Sequence, residues 1–178
     1  MVLFRFPAFF MHYLTESFRP FCIFVPMKNG ELHTLIDLLE RSCLKFPENA
    51  YLWEKREGGY RSVTYRQTRR EVGDVAAGLL AGGLQKGDRV ALLSEGCNDW
   101  VFAELGILYA GGVNVPLSIK LTDKELIFRV RHSGARFLIV SDYYVATLRR
   151  IEAELPEIEK IYVIRYSSAE EGKYNSFE

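Results

Sequence analysis

An α/β fold is predicted: a parallel sheet with crossover helices, preceded by a helix and a β-hairpin. Three observations predict it. Helical and strand patterns alternate from Thr64 to Val140 with short polar joints, the pattern of strands crossed over by helices into a parallel sheet. The strand-like runs are short and continuously apolar, as strands covered on both faces are. The glycine pairs Gly82-Gly83 and Gly111-Gly112 stand where helical periodicity stops, and glycine accepts the left-handed conformation that follows a helix end.

The elements follow in order. Leu35, Leu38, Leu39, Cys43 and Phe46 recur at helical spacing; Thr34 is the predicted N-cap and Pro47 the stop. The run AYLWEKREGGYRSVTY reads as two strands around Gly58-Gly59, with Trp53 and Tyr60 as candidates for cross-strand packing. Thr64 caps a long helix with Val72, Val75, Ala76, Leu79 and Leu80 on one face. A strand at 88–93, a helix at 98–110 with Val101, Leu105 and Leu108 inward, and a strand at 113–116 come next. Thr122 and Glu125 form a capping box opening a helix that carries Leu126, Ile127 and Val130. A strand at 136–140 is followed by a helix through Val145, Leu148 and Ile151, capped by Ser141 or Asp142. A strand at 160–164 is the last of four, with three crossover helices between them, and the crossovers should be right-handed. The tail SSAEEGKYNSFE reads as a polar loop.

Composition narrows the function classes. Hydrophobic residues make up 48% of 178, enough for a real core, and 23 basic residues balance 23 acidic ones. Balanced charge argues against general nucleic-acid binding, which needs a basic excess; Arg66, Arg69 and Arg70 are offset by Glu71 and Asp74 and read as a solvated helix face. The three cysteines, Cys22, Cys43 and Cys97, are odd in number and widely spaced. Neither a zinc site nor a disulfide framework is expected, Cys43 reads as a buried free thiol, and a reducing cytoplasm fits best.

Residues 1–26 differ from the rest. They hold seven of the twelve phenylalanines and three prolines, without a helical period. Arg5, Glu16 and Arg19 interrupt any spanning stretch, and no small-x-small cleavage site follows, so neither a transmembrane nor a signal segment is expected. The expected domain spans 27–178, with Met27 as its start; the rival reading of 1–26 is an interfacial membrane anchor.

Familiar catalytic motifs are absent. A phosphate-binding P-loop needs GxxxxGK followed by Ser or Thr, and the single Gly-Lys pair, Gly172-Lys173, is followed by Tyr174. Gly78, Gly82, Gly83 and Gly87 punctuate a helix end and do not make a dinucleotide fingerprint. Ser94-Glu95-Gly96 is half of a hydrolase nucleophile elbow without its first glycine, and it reads as a loop serine. His132 reads as a helix C-terminal residue; His12 and His33 have no ligand-like company. No catalytic, cofactor-binding or metal residue is therefore assigned.

Three stretches, in order and at matching spacing, resemble one family. Leu84–Leu93 is similar to the GV-KGDRVAL segment of AMP-forming acyl-CoA synthetases, Leu105–Pro116 to their ILKAGGVVVPL segment, and Thr122–Val140 to their LTPEEL…DSGAKVLIV segment; Thr64-Tyr65 fits their TYRE helix start. The resemblance covers about residues 31–165. NVPLSIKLTDKEL followed by RHSGARFLIVS resembles the long-chain fatty-acid–CoA ligase branch.

The resemblance implies the incomplete N-terminal portion of an adenylate-forming domain. It implies a parent that converts a fatty acid, ATP and CoA into acyl-CoA, AMP and pyrophosphate, with Mg2+ accompanying the ATP. The family's TSGTTGxPKG-type loop is absent here and its catalytic lysine lies in a separate domain, so the chain alone is expected to bind none of these groups and to be inactive. The alternatives are a non-enzymatic α/β interaction module and a fragment of another adenylating enzyme acting on amino or aryl acids. The expected location is cytoplasmic or peripheral to a membrane. A half-domain should leave an apolar face on one side of the sheet and self-associate.

Overall fold

Thr34 opens the first helix, α1 (Leu35–Lys45), by reciprocal capping. Its hydroxyl accepts from the Asp37 N–H at 3.0 Å, and the Asp37 carboxylate accepts from the Thr34 N–H at 2.9 Å. The computed structural model describes residues 32–165 and 174–177; the readings of residues 1–26 and of Gly172-Lys173 lie outside them. Of the stripe expected on α1, only Leu39 and Cys43 are buried. Leu35, Leu38 and Phe46 are exposed, and Ile36 turns inward in their place. The inward face is the 36-39-43 line because α1 packs on Val72 and Phe102, and a stripe read with 35 and 38 is rotated off that contact.

Strands β1 (Ala50–Arg56) and β2 (Gly59–Thr64) form an antiparallel hairpin. Its turn needs left-handed backbone at Gly58, φ 85°. The register sets Trp53 opposite Ser62 and Tyr60 opposite Lys55. Trp53 and Tyr60 are therefore not a facing pair, and both are exposed.

Thr64 and Gln67 cap α2 (Tyr65–Ala81), which buries Thr68, Val72, Ala76 and Leu79 and leaves Leu80 out. Its end is a Schellman motif. Gly83 takes φ 95°, its N–H bonds Leu80 O, and the Leu84 N–H bonds Leu79 O at 3.0 Å. The chain then runs through β3 (Arg89–Leu93), α3 (Asn98–Tyr109), β4 (Val113–Pro116), α4 (Asp123–Ser133), β5 (Phe137–Ser141), α5 (Val145–Ile151), β6 (Lys160–Ile164) and β7 (Asn175–Ser176). The Thr122–Glu125 capping box on α4 is present.

The sheet order is β4-β3-β5-β6-β7, with every neighbouring pair parallel. Successive strand residues point to opposite faces. Ala91, Leu93, Leu138, Val140 and Val163 pack with α4 and α5, while Val90, Leu92, Phe137, Ile139 and Ile164 pack with α2 and α3. On the outer side of α2 and α3 a further layer, α1 with the hairpin, closes over Val72, Phe102 and Leu105. Each fully buried Leu, Ile or Val contributes about 1.5–3 kcal/mol relative to exposure.

Four further expectations need correction. First, α3 does not bury a single stripe: Phe102, Ala103, Leu105 and Ile107 are all inside, while Val101 and Leu108 are half-buried. A helix clamped between a sheet and an outer layer is apolar on two sides, so its period is lost. Second, neither Ser141 nor Asp142 caps α5 with its side chain. A 3₁₀ turn at Asp142–Tyr144 intervenes, and α5 starts at Val145. Third, the tail is not all loop: Asn175-Ser176 pairs with Tyr162-Val163, a stretch too short for periodicity to reveal. Nor does the sheet present an open apolar face. β3 and β5 are buried on both sides, and exposed apolar side chains lie instead on α1, the hairpin, the β4 edge and α4, with Leu80 and Tyr143 besides.

Candidate functional site

Strand order places the site. From β3 the chain turns to α3 on one face of the sheet; from the adjacent β5 it turns to α5 on the other face. The two loops part, and the space beyond the carboxyl ends of β3 and β5 is the crevice that such a topology places there. In open α/β sheets this topological switch point is where ligands bind.

The crevice is built from short polar segments. Ser94 and Glu95 follow β3, and Ser141 ends β5. Ser141 is buried and donates from Oγ to Glu95 Oε2 at 2.5 Å. Ser94, also buried, donates to the Glu95 carbonyl at 3.0 Å and lies 3.8 Å from Cys97 Sγ. Burial, with the Glu95 carboxylate and Tyr143 adding to it, pushes the Tyr144 phenol above its ordinary value. Cys97 is the N-cap of α3 and makes no side-chain cap bond, so the first-turn amides keep the donor capacity of a helix start.

A charged clamp flanks the crevice at the end of β6. Arg165 has left-handed backbone, φ 57°. Its guanidinium bonds Asp99 in the first turn of α3 at 2.5 Å and Glu54 of the hairpin at 2.7 Å. Burial works against its charge, but the bonds to Glu54 and Asp99 outweigh this and raise its pKa. The clamp ties three elements distant in sequence to one corner of the sheet.

This arrangement can hold a polar ligand by hydrogen bonds. It does not assemble a nucleophile and a base. The Ser94 hydroxyl is taken by a carbonyl, and His132 sits in the last turn of α4, stacked on Phe128 at 5.4 Å. His12 lies outside the described residues, and His33 precedes α1. Among the described residues no three His, Cys, Asp or Glu side chains converge as a metal set, and no helix is long and apolar enough to cross a membrane. Cys43 is buried and free, its Sγ donating to the Tyr65 carbonyl at 3.3 Å; burial, then Glu40, pushes the thiol up. Arg66 and Arg69 pair with Glu48 and Glu40, and Arg70 with Asp74, the solvated face expected of them.

Sequence reading passes over Glu95, Ser141 and Tyr144 as site residues. The available signal is their place just after two buried strands. It becomes informative only once those strands are known to be neighbours.

The crotonobetaine/carnitine–CoA ligase of Citrobacter koseri is 30% identical over 107 residues, covering 60% of this chain and 21% of that protein. The human mitochondrial acyl-coenzyme A synthetase ACSM5 is 28% identical over 149 residues, 81% of this chain and 26% of that protein. The chain thus spans about a fifth to a quarter of these relatives. Among solved structures, the anthranilate CoA ligase AuaEII in complex with anthranoyl-AMP superposes with a TM-score of 0.74 at 29% identity, covering 82% of this chain and 27% of that one. Residues 39–177 match the family of AMP-binding enzymes, and the chain, with its doubly covered parallel sheet and switch-point crevice, belongs to that adenylate-forming family.

Proposed function

We propose that these residues form the N-terminal part of an ATP-dependent acid–CoA ligase of the long-chain fatty-acid branch. In the parent reaction the fatty acid carboxylate attacks the α-phosphorus of ATP, releasing pyrophosphate and leaving an acyl-adenylate. The CoA thiol then takes the acyl group and AMP departs. The observation that carries the reading is the family match over residues 39–177, lying on a sheet whose switch-point crevice is the ligand position of such folds. The long-chain assignment is supported by the likeness of the 114–126 and 131–141 segments to that branch.

This chain supplies scaffold to the reaction. Stabilising charge at a transferring phosphoryl group takes converging cations and amides. The TSGTTGxPKG-type loop is absent from the sequence. The described residues offer no metal set that would suit the Mg2+ accompanying ATP, so no step is assigned to it. We therefore expect the 178-residue chain to be inactive alone and to self-associate through the exposed apolar side chains of α1, in a cytoplasmic or membrane-peripheral setting.

Pyrophosphate exchange tests the reading. The chain alone should give none with any acid, and robust exchange would overturn its inactivity. The same segment within a full-length ligase should turn over acids of twelve or more carbons fastest, about tenfold over benzoate, given roughly 0.8 kcal/mol per buried methylene. A preference for aryl or amino acids would move it to another adenylating branch. Light scattering reports self-association, and a monodisperse monomer would count against it.

A further inference from the structure

We propose that the β1–β2 hairpin is a flap that opens and closes independently of the sheet, and that Arg165 is the latch that holds it shut. The proposal does not depend on the adenylation reading. The flap is hinged at its base, where the Tyr65 N–H bonds the Asn49 carbonyl at 3.1 Å and the Arg66 N–H bonds the Pro47 carbonyl at 3.0 Å. Beyond that base, apolar packing holds it weakly. No residue of either strand is buried. Leu52 and Val63 are half-buried against the layer of Val72, Phe102 and Leu105, and Tyr51 stacks on Tyr65 at 4.5 Å. A two-stranded hairpin is marginal on its own, so whatever fixes its outer half decides whether it stays seated.

Charge fixes that outer half. Glu54 of β1 accepts from Arg165 through Oε1 at 2.7 Å and from Arg56 through Oε2 at 2.9 Å, and Arg61 stands opposite it in the ladder. The same Arg165 guanidinium bonds Asp99, in the first turn of α3, at 2.5 Å. Glu54 lies 111 positions and Asp99 66 positions from Arg165, so one side chain pins the flap to the end of β6 and the start of α3. The Arg165 and Glu54 side chains are 30% and 13% exposed, against 77% and 72% for Arg70 and Asp74. A solvated pair such as the latter contributes little, whereas a partly buried, hydrogen-bonded one is screened less and holds its geometry.

The backbone at Arg165 supports a dedicated contact. Among the described residues it is the only one other than glycine with left-handed backbone, φ 57°. An L residue keeps that conformation where its surroundings over-determine it, and here the two carboxylates do so. Glycine would adopt the same backbone freely but would lose the guanidinium. Substitution can therefore separate the side chain's role from the backbone's.

Hydrogen exchange read by mass spectrometry on the 178-residue chain tests this. In Arg165→Gln the hairpin amides at 50–64 should exchange about tenfold faster, the size of losing charge-assisted hydrogen bonds that oppose a local opening. The strands at 89–93 and 137–141 should keep the parent's protection. Arg165→Gly should speed the hairpin as much as Arg165→Gln does, although its backbone suits the position. Glu54→Gln, on the flap itself, should reproduce the effect, and the Glu54→Gln/Arg165→Gln pair should add less than the two single effects combined. Arg70→Gln, from an exposed pair, should exchange as the parent does. Unchanged hairpin exchange in Arg165→Gln or Glu54→Gln, parent-like protection in Arg165→Gly, or fully additive single effects would each overturn the latch. Faster exchange spread equally over hairpin and sheet would show general destabilisation and overturn the flap. Should Arg165→Gln fail to fold, Glu54→Gln decides by the same readout.

Discussion

Ser141, at the end of β5, donates a 2.5 Å hydrogen bond to Glu95, just past the end of β3. The two residues are 46 positions apart, and their bond bridges the mouth of the crevice at the point where the chain leaves the sheet in opposite directions. A hydroxyl bonded to a carboxylate is stronger than a neutral pair, and Ser141 is only 2% exposed.

A double-mutant cycle should detect this bond. Ser141→Ala and Glu95→Gln should each destabilise the fold, and their coupling energy should be about 1–2 kcal/mol. Urea unfolding of the four proteins measures it. Additive effects would show that the bond contributes nothing beyond its separate halves.

Two glycines should respond in opposite directions to alanine. A Cβ at Gly106 of α3 would lie 2.7 Å from the Cβ of Val75 on α2, so Gly106→Ala forces the two helices apart and should cost about 1–3 kcal/mol. A Cβ at the exposed Gly78 meets nothing within 4 Å, so Gly78→Ala should raise stability by about 0.5–1 kcal/mol through helix propensity. Thermal melts of the two variants, expected to move apart, check the α2–α3 packing.

Acid should weaken the fold through three carboxylates on the surface. Asp123 is held below its ordinary 3.8 by the Arg150 bond, Glu125 below 4.5 by the Thr122 N–H, and Glu159 below 4.5 by Arg136. A group with a depressed folded pKa stabilises above its unfolded value and loses that contribution as pH falls through the folded one. The melting temperature should be flat from neutral pH to roughly pH 5, then fall as pH drops through 4.5 and below 3.8. Replacing Asp123 with Asn and Glu125 with Gln should flatten the acid limb. An unchanged limb would place the acid sensitivity elsewhere.

The two described cysteines should differ in reactivity. Cys43 is 7% exposed and its thiol is pushed up by burial, while Cys97 is half-exposed at the crevice. Since the thiolate is the reactive species, iodoacetamide under native conditions should label Cys97 at least about tenfold faster. Peptide mapping by mass spectrometry reads the ratio, and equal rates would mean that α1 opens readily.

Local rules determined much of this protein in advance. Thr34, Thr64 and Thr122 mark helix starts, and Gly83 and Gly111 mark ends, because capping and left-handed backbone are chemistry of adjacent residues. The apolar runs within 88–93 and 136–140 declare strands buried on both faces. Three ordered segments were enough to indicate the adenylate-forming family. What only the tertiary structure decided is which strands are neighbours, and with that the crevice. Glu95 and Ser141 are ordinary loop and strand-end residues until β3 and β5 are set side by side. The inward line of α1 and the two buried sides of α3 likewise depend on what packs against them. Pairing order and layer contacts join residues tens of positions apart, and no short-range period in the chain encodes them.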